Sequence, residues 1–306
     1  MKNGKPLRIG VTGASGFLGR HVLRFFHVRG ASVVGFSRRA DAGKKSAGRL
    51  AWRKFSTLEA SDMRGLDAVV HLAGETVMGR WTKAKKRRIL ASRVDGTRQV
   101  VAGLEALAAA ERPRVFVCAS ATGYYGNSTE AADEDSPSGE GFLAEVTRQW
   151  EAEARHAEVL GVRVVFLRFG MLLGRDGGAM RLLQPLFRNG LGGRLGDGAQ
   201  WMSCLHVEDA AGLIAYAVEN ASLRGAVNAV MPDPVSNAEF TKVLAGLAGR
   251  KAPFPAPAFV LKIVMGEMSS MLLWNSRVLP RRALSAGYTF YFPTLREALG
   301  EVMNGG

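Results

Sequence analysis

Leu7-Arg8-Ile9-Gly10-Val11 leads through Thr12 into Gly13-Ala14-Ser15-Gly16-Phe17-Leu18-Gly19, and Arg20-His21-Val22-Leu23-Arg24-Phe25-Phe26 follows directly. An apolar strand, a glycine turn and a helix therefore succeed one another. In that order the first glycine permits the tight turn, the second lets backbone approach a pyrophosphate, and the third lets the helix pack closely on the strand. The helix N-terminus, with free N–H groups and the positive end of its dipole, then points at the anion. Leu18, Val22, Phe25 and Phe26 share one helical face, and Gly30 closes the helix. Gly13, Ser15, Gly16, Phe17, Leu18 and Gly19 are thus the candidate phosphate cradle of a nucleotide.

The next strand selects the nucleotide. Ala31-Ser32-Val33-Val34-Gly35-Phe36 ends in Ser37-Arg38-Arg39, about twenty residues past the glycines, where an NAD site would place an acid on the ribose 2′-hydroxyl. No carboxylate stands there. Two guanidiniums can instead hold a 2′-phosphate bidentately and stack on adenine, which favours NADP(H) over NAD(H) with Ser37, Arg38 and Arg39 at the phosphate. The competing reading makes both arginines solvated loop charges.

Further strands rich in β-branched residues are predicted at Asp67–Leu72, Arg114–Ala119, Val162–Arg168 and Ala226–Val230, with helical stretches between most of them. This alternation predicts an α/β fold, a doubly wound parallel sheet of Rossmann type with a smaller C-terminal substrate lobe. Met231-Pro232-Asp233-Pro234, then Pro253-Phe254-Pro255-Ala256-Pro257, divides a nucleotide-binding domain at 1–230 from a lobe at 231–306. The loop 174–204 is expected to reach into that lobe. Its glycine-dense part, Asn189–Gly198, reads as a shaped loop beside a site.

With 306 residues and 47% hydrophobic content, the chain has ample material for a core. No apolar run approaches the roughly twenty residues of a membrane span, and Met1–Pro6 enters the first strand without a signal-peptide core, so a cytoplasmic protein is expected. Cys118 and Cys204 lack metal-ligand spacing and read as reduced thiols, with no metal site. The net charge is +14, and its densest run is Lys83-Ala84-Lys85-Lys86-Arg87-Arg88. That run opens a helix whose apolar positions Ile89, Val94, Val101, Leu104 and Leu107 point elsewhere, and no aromatic residues interleave for base stacking. It reads as a solvated helix face, while the positive surplus raises the local concentration of an anionic cofactor or substrate. The expected partners are a small-molecule substrate and a second copy of the chain as a homodimer, with no nucleic acid and no membrane.

Several segments agree with one family. His71-Leu72-Ala73-Gly74, Ser120, the Tyr125-Gly126 pair and Leu205-His206-Val207-Glu208-Asp209-Ala210 resemble the extended short-chain dehydrogenase/reductases of the NAD-dependent epimerase/dehydratase type. Gly79-Arg80-Trp81-Thr82, Ser120-Ala121-Thr122-Gly123-Tyr124-Tyr125-Gly126, Gly174-Arg175-Asp176-Gly177-Gly178 and Gln200-Trp201-Met202-Ser203 are similar to a narrower group of "epimerase family" proteins. That group carries an additional C-terminal domain of unknown function, which Pro280-Arg281-Arg282-Ala283-Leu284 and Gly287-Tyr288-Thr289-Phe290 resemble. The resemblance covers nearly the whole chain. It implies that Leu72, Ala73, Gly74, Glu75, Ala119, Ser120, Arg168 and Gly170 also lie at the cofactor, Glu75 pairing alternatively with Arg80 or a surface arginine.

The resemblance also implies a catalytic Tyr with a Lys four positions later, and here the chain departs from it. Leu143 and Thr147 occupy those places. Tyr is absent from Gly126 to Ala215 and Lys from Arg87 to Thr241, so no shift of register restores the pair. The family's active-site Ser/Thr falls on Ala121, with Ser120 and Thr122 on either side. Tyr124 and Ser120 are therefore the catalytic candidates, Tyr124 having plain packing as its alternative. Trp81, Trp201, Met202 and Ser203 are candidate substrate residues, and His206 is either a site residue or a structural one at a helix entry. The reading is an NADP(H)-dependent oxidoreductase or epimerase-like enzyme without the usual Tyr-Lys pair. Its rival is a non-catalytic NADP(H)-binding redox sensor.

Overall fold

The computed structural model describes residues 6–38 and 49–304, so Arg39 lies outside the described residues. Seven strands form the central sheet: β1 (Arg8–Thr12), β2 (Ser32–Ser37), β3 (Leu50–Lys54), β4 (Ala68–His71), β5 (Val115–Ala121), β6 (Arg163–Phe169) and β7 (Gly225–Ala229). Their order is β7-β6-β5-β4-β1-β2-β3, and every neighbouring pair is parallel. The sheet is the doubly wound parallel α/β arrangement expected. Strand order reverses between β1 and β4, which opens a crevice at their carboxyl ends where ligands collect in such sheets.

The alternation of side chains builds two cores, one on each face. Ile9, Val11, Val70, Val115 and Val117 point to one, where helix α1 (Phe17–Val28) brings Val22 and Phe26 and a later helix brings Leu213 and Ile214. Val69, Phe116 and Cys118 point to the other, against Val100 and Leu104 of α2 (Lys83–Glu105) and Trp150 of α3 (Phe142–Arg155). The strand β3 was not among the predicted ones. Leu-Ala-Trp-Arg-Lys has no β-branched residue and ends exposed at the sheet edge, so it lacks the composition by which a buried strand is recognised.

The basic run at the start of α2 departs from a fully solvated face. Lys85 is buried, with Nζ 2.8 Å from Glu75 Oε1, and Lys86 Nζ lies 4.8 Å from the centre of the Phe142 ring. Beyond the sheet, Trp201–Met202 pairs antiparallel with Val235–Ser236, and Ser276–Val278 pairs parallel with Ser128–Ala132. The last helix, Leu295–Asn304, buries Leu295, Leu299 and Val302 in the same core as β1 and α1. Among the described residues no helix is long and apolar enough to cross a membrane. Cys118 and Cys204 are buried free thiols, and burial pushes Cys204 up to about 12.

Candidate functional site

Each glycine of the turn after β1 has its own steric reason. Gly13 sits at φ +66°, and a Cβ there would stand 2.8 Å from the backbone of Leu72 and Ala73. At Gly19 a Cβ would run into Gly13 O and lie 2.8 Å from Ala14 Cα, so α1 rests directly on the turn. Gly16 differs: its φ is −73°, and a Cβ would meet only Gly13 O at 3.1 Å. The first turn of α1 has no side-chain cap and no acidic residue, which leaves its N–H groups for an anion. These features fit a pyrophosphate.

The turn is tied to the end of β2 by Ala14 N donating to Phe36 O (3.3 Å) and by the Ser15 and Ser37 hydroxyls, 2.8 Å apart. Arg38 follows, exposed. On the other side, Thr12 Oγ1 accepts from Leu72 N (3.2 Å) and Ala73 N (3.3 Å), so its own proton goes to His71 Nδ1 at 2.7 Å. Burial, followed by the Arg93 charge, pushes His71 down to about 3, which keeps the ring neutral and able to accept. Thr12 and His71 thus fix the backbone of Leu72–Gly74 against the cradle. Glu75 pairs with Lys85 at 2.8 Å and, more loosely, with the surface arginine Arg88 at 3.9 Å, but not with Arg80. The Lys85 hydrogen bond holds its carboxyl below the usual range, with Arg88 and Arg38 adding through space. Ser37 and Arg38 on the β2 side and Leu72–Glu75 on the β4 side accordingly flank the turn.

At the end of β5 a buried network joins β5, β6, β7, α3 and the turn after β5. Arg168 on β6 grips both oxygens of Glu151 on α3, Nε to Oε1 and Nη2 to Oε2, each at 2.8 Å. Ser120 Oγ donates to Glu151 Oε1 (2.6 Å), Arg168 Nη1 donates to the Tyr125 hydroxyl (2.9 Å), and that hydroxyl donates to Asn228 Oδ1 (2.7 Å). Burial alone would pull the guanidinium down, but the Glu151 carboxylate more than offsets it and Arg168 stays cationic. Burial pushes the Tyr125 phenol up to about 12. Tyr124 is placed differently: its ring centre lies 3.4 Å from the Arg168 guanidinium, and no described residue hydrogen-bonds its hydroxyl. On α3, Thr147 Oγ1 donates to Leu143 O and Ala144 O at 2.9 Å, so neither Leu143 nor Thr147 offers an acid or base.

The resemblance implies Arg168 at the cofactor, and its guanidinium is wholly engaged within the protein. The signal was an arginine inside Val-Val-Phe-Leu-Arg-Phe: a buried cation needs a buried acid, and Glu151 beside Trp150 on the inner face of α3 was that acid. Ala119 is buried within β5. Gly170 is required by close packing, since a Cβ there would lie 2.9 Å from Val230 Cγ1 and collide with Ser203 O.

Three of the substrate candidates lie together. Ser203 Oγ donates to Ser276 O (2.6 Å) and accepts from Val278 N (2.9 Å). Trp201 N donates to Asn275 Oδ1 (3.1 Å) with Arg277 4.7 Å from its ring centre, and Met202 Sδ accepts from Asn237 Nδ2 (3.3 Å). Trp81 packs elsewhere, edge-on to Phe142 in a cluster with Ile89 and Met268, its Nε1 donating to Val77 O (2.8 Å). The stretch 266–274 borders both groups: Met268 meets Trp81, and Leu272 O accepts from Gln200 Nε2 (3.0 Å). Trp274 separates a cleft of about 630 Å³, lined by Asp197, Gln200 and Lys262, from one of about 660 Å³, lined by Tyr125, Asn127 and Gly141. His206 stands apart from all of these. Its Nε2 is 3.0 Å from Glu301 Oε2, its Nδ1 accepts from Glu208 N (3.3 Å), and its ring lies on Phe292 in a different cleft beside Arg20, His21 and Arg24.

Comparison with known proteins places this geometry. Residues 9–229 match the NAD dependent epimerase/dehydratase family, and residues 256–302 match a domain of unknown function, DUF1731. The chain is 35% identical over 300 residues to epimerase family protein YfhF of Bacillus subtilis, covering 97% of this chain and 98% of that protein. It is 36% identical over 302 residues to the chloroplastic SDR39U1 homolog of Arabidopsis thaliana, covering 97% of this chain and 87% of that one. Among solved structures, the human epimerase family protein SDR39U1, crystallised with NADPH, superposes with a TM-score of 0.89 at 34% identity, covering 98% of this chain and all of that chain.

Proposed function

The chain belongs to the NAD dependent epimerase/dehydratase family, and from that premise we propose that it is an NADP(H)-dependent oxidoreductase or epimerase-like enzyme acting on a small molecule, with Tyr124 as proton donor. The turn Gly13–Gly19 and the first turn of α1 would hold the pyrophosphate, Ser37 and Arg38 the 2′-phosphate, and Leu72–Glu75 with Ala119, Ser120 and Gly170 the rest of the cofactor. When bound, the nicotinamide supplies or takes the hydride. The chain's own task is to place a proton. One observation carries the assignment: at the end of β5 the Tyr124 ring is held on the Arg168 guanidinium while its hydroxyl has no described partner, in contrast to the fully engaged Tyr125.

The human relative's NADPH and the Ser37-Arg38-Arg39 run in place of an acid at the end of β2 both support the choice of cofactor. NADPH is expected to bind at least about tenfold more tightly than NADH, about 1.4 kcal/mol, and Arg38→Ala to erase the difference. Calorimetry giving equal affinities for the two cofactors would refute this. For the proton donor, Tyr124→Phe is expected to slow NADPH oxidation by about a hundredfold, at unchanged NADPH affinity, in stopped-flow fluorescence across aldehydes, ketones, quinones and nucleotide sugars. Undiminished turnover removes Tyr124 from the role.

A second reading is favoured by the Ser120 hydroxyl, committed to Glu151, and by Leu143 and Thr147 where the family's pair would stand. In that case the chain is a non-catalytic NADP(H) sensor, with no turnover in the panel but unequal hydrogen exchange with NADPH and NADP⁺, because only differential binding shifts an equilibrium. A reducing compartment such as the cytoplasm suits the two buried free thiols under either reading.

A further inference from the structure

Two neighbouring surface segments bordering the site carry most of the large apolar side chains that the fold leaves exposed. Residues 180–196 and 249–265 run against each other: Ala256 N donates to Arg194 O (2.8 Å), Gly196 N to Ala256 O (2.9 Å), and Arg250 Nε to Arg188 O (3.0 Å). Of the thirteen large apolar side chains exposed among the described residues, eight lie here, including Leu191 at 75%, Phe254 at 78%, Phe259 at 65% and Ile263 at 70%. The helix Ala258–Met265 reads Ala-Phe-Val-Leu-Lys-Ile-Val-Met, and none of its residues is buried. An apolar helix normally turns a face to the core; this one is turned outward.

The charge of the same face is one-sided. The two segments contain Arg181, Arg188, Arg194, Arg250, Lys251 and Lys262 and no Asp or Glu. The acids next along the chain, Asp197 and Glu267, follow the segments' ends, and Glu267 is paired with Lys86. A contiguous exposed apolar patch rimmed by polar residues marks an interaction surface. A second copy docking through a two-fold axis would set these cations against themselves. A nucleic acid would engage the cations and leave aliphatic Leu191 and Ile263 without a partner. Anionic headgroups above acyl chains accept both halves of the surface at once.

We propose that this face docks on an anionic lipid surface, with Phe254, Phe259 and Ile263 entering the boundary between headgroups and acyl chains and the surrounding Lys and Arg meeting headgroup phosphates. The attachment is peripheral, because eight helical residues are far short of the roughly twenty that a span needs. It runs against the expectation of no membrane partner, which rested on the lack of a spanning segment.

The test is cosedimentation of the full chain with vesicles of phosphatidylcholine alone or mixed with phosphatidylglycerol. Binding is expected only to the mixed vesicles, weakening as salt rises. Phe259→Glu/Ile263→Glu should weaken it at least about tenfold, about 1.4 kcal/mol, with an unchanged thermal midpoint because both side chains are exposed. Lys251→Glu/Lys262→Glu, which leaves the apolar residues in place, should weaken it as well. Failure to sediment with mixed vesicles, equal binding to phosphatidylcholine alone, or full retention by both variants overturns the proposal. So does a concentration-dependent dimer abolished by Phe259→Glu/Ile263→Glu, which assigns the face to a second copy. Tighter binding to polyglutamate than to mixed vesicles assigns it to an acidic protein and likewise overturns the proposal.

Discussion

Gly16→Val will leave the chain folded while weakening NADPH binding at least about a thousandfold, about 4.1 kcal/mol. The prediction depends on the difference between three glycines of one turn. At Gly16 the backbone is extended, at φ −73° and ψ 176°, a conformation that valine adopts readily, and the only atom a Cβ approaches is Gly13 O at 3.1 Å. The added side chain would stand in the turn directly before the uncapped N–H groups of α1, where a pyrophosphate would have to approach. Gly19→Ala behaves oppositely. Its Cβ would strike the turn's own backbone, so the loss appears first in stability, by about 1–3 kcal/mol of overpacking. Thermal unfolding without nucleotide, followed by titration calorimetry with NADPH, separates the two. A Gly16→Val protein that keeps wild-type affinity would reduce the cradle to a tight turn.

That cradle was legible in the sequence because everything that defines it is local. A strand, three glycines and an amphipathic helix lie within consecutive residues, and the alternation of Ile9, Val11, Val69 and Phe116 between the two cores is visible as period two. What stayed hidden depends on residues far apart in the chain. The pairing of Glu151 with both Arg168 and Ser120 joins a helix and two strands whose side chains meet only after the sheet has formed. The candidates Trp81, Trp201, Met202 and Ser203 looked equivalent as sequence, yet Trp81 packs on α3 while Trp201 is held by Asn275, next to the strand Ser276–Val278 that pairs with Ser128–Ala132. His206 seemed double in role because a helix-entry histidine has the same sequence signature whether it faces a ligand or caps the helix. Here it caps, accepting from Glu208 N. The missing Tyr-Lys pair could be read as an absence, but nothing in the sequence favours Tyr124 over Tyr125; the hydrogen bonds that engage the Tyr125 hydroxyl, and the closer Arg168 guanidinium at the Tyr124 ring, do.

Glu151→Ala is expected to destabilise the protein by about 3–5 kcal/mol, the usual consequence of leaving a buried charge without its partner. Arg168 would keep Tyr125 as its remaining hydrogen-bond partner, and Ser120 would lose the acceptor of its proton. At about 2–4 °C per kcal/mol for a large domain, the midpoint should fall by on the order of 10 °C. The pair itself contributes little beyond what apolar side chains of similar size would give, because each ion has been stripped of water. Glu151→Met/Arg168→Met should therefore recover most of the loss, even though it removes the charged pair at the centre of the network. This contrast distinguishes a network that stabilises the fold from one that orients side chains. In the double variant Tyr124 has no guanidinium beneath its ring, so a protein restored in stability but still lacking turnover places the value of Arg168 in holding Tyr124. Full activity in the restored protein would show that the Tyr124 ring needs no such support. A loss below about 1 kcal/mol in Glu151→Ala would mean that water reaches Arg168 after all.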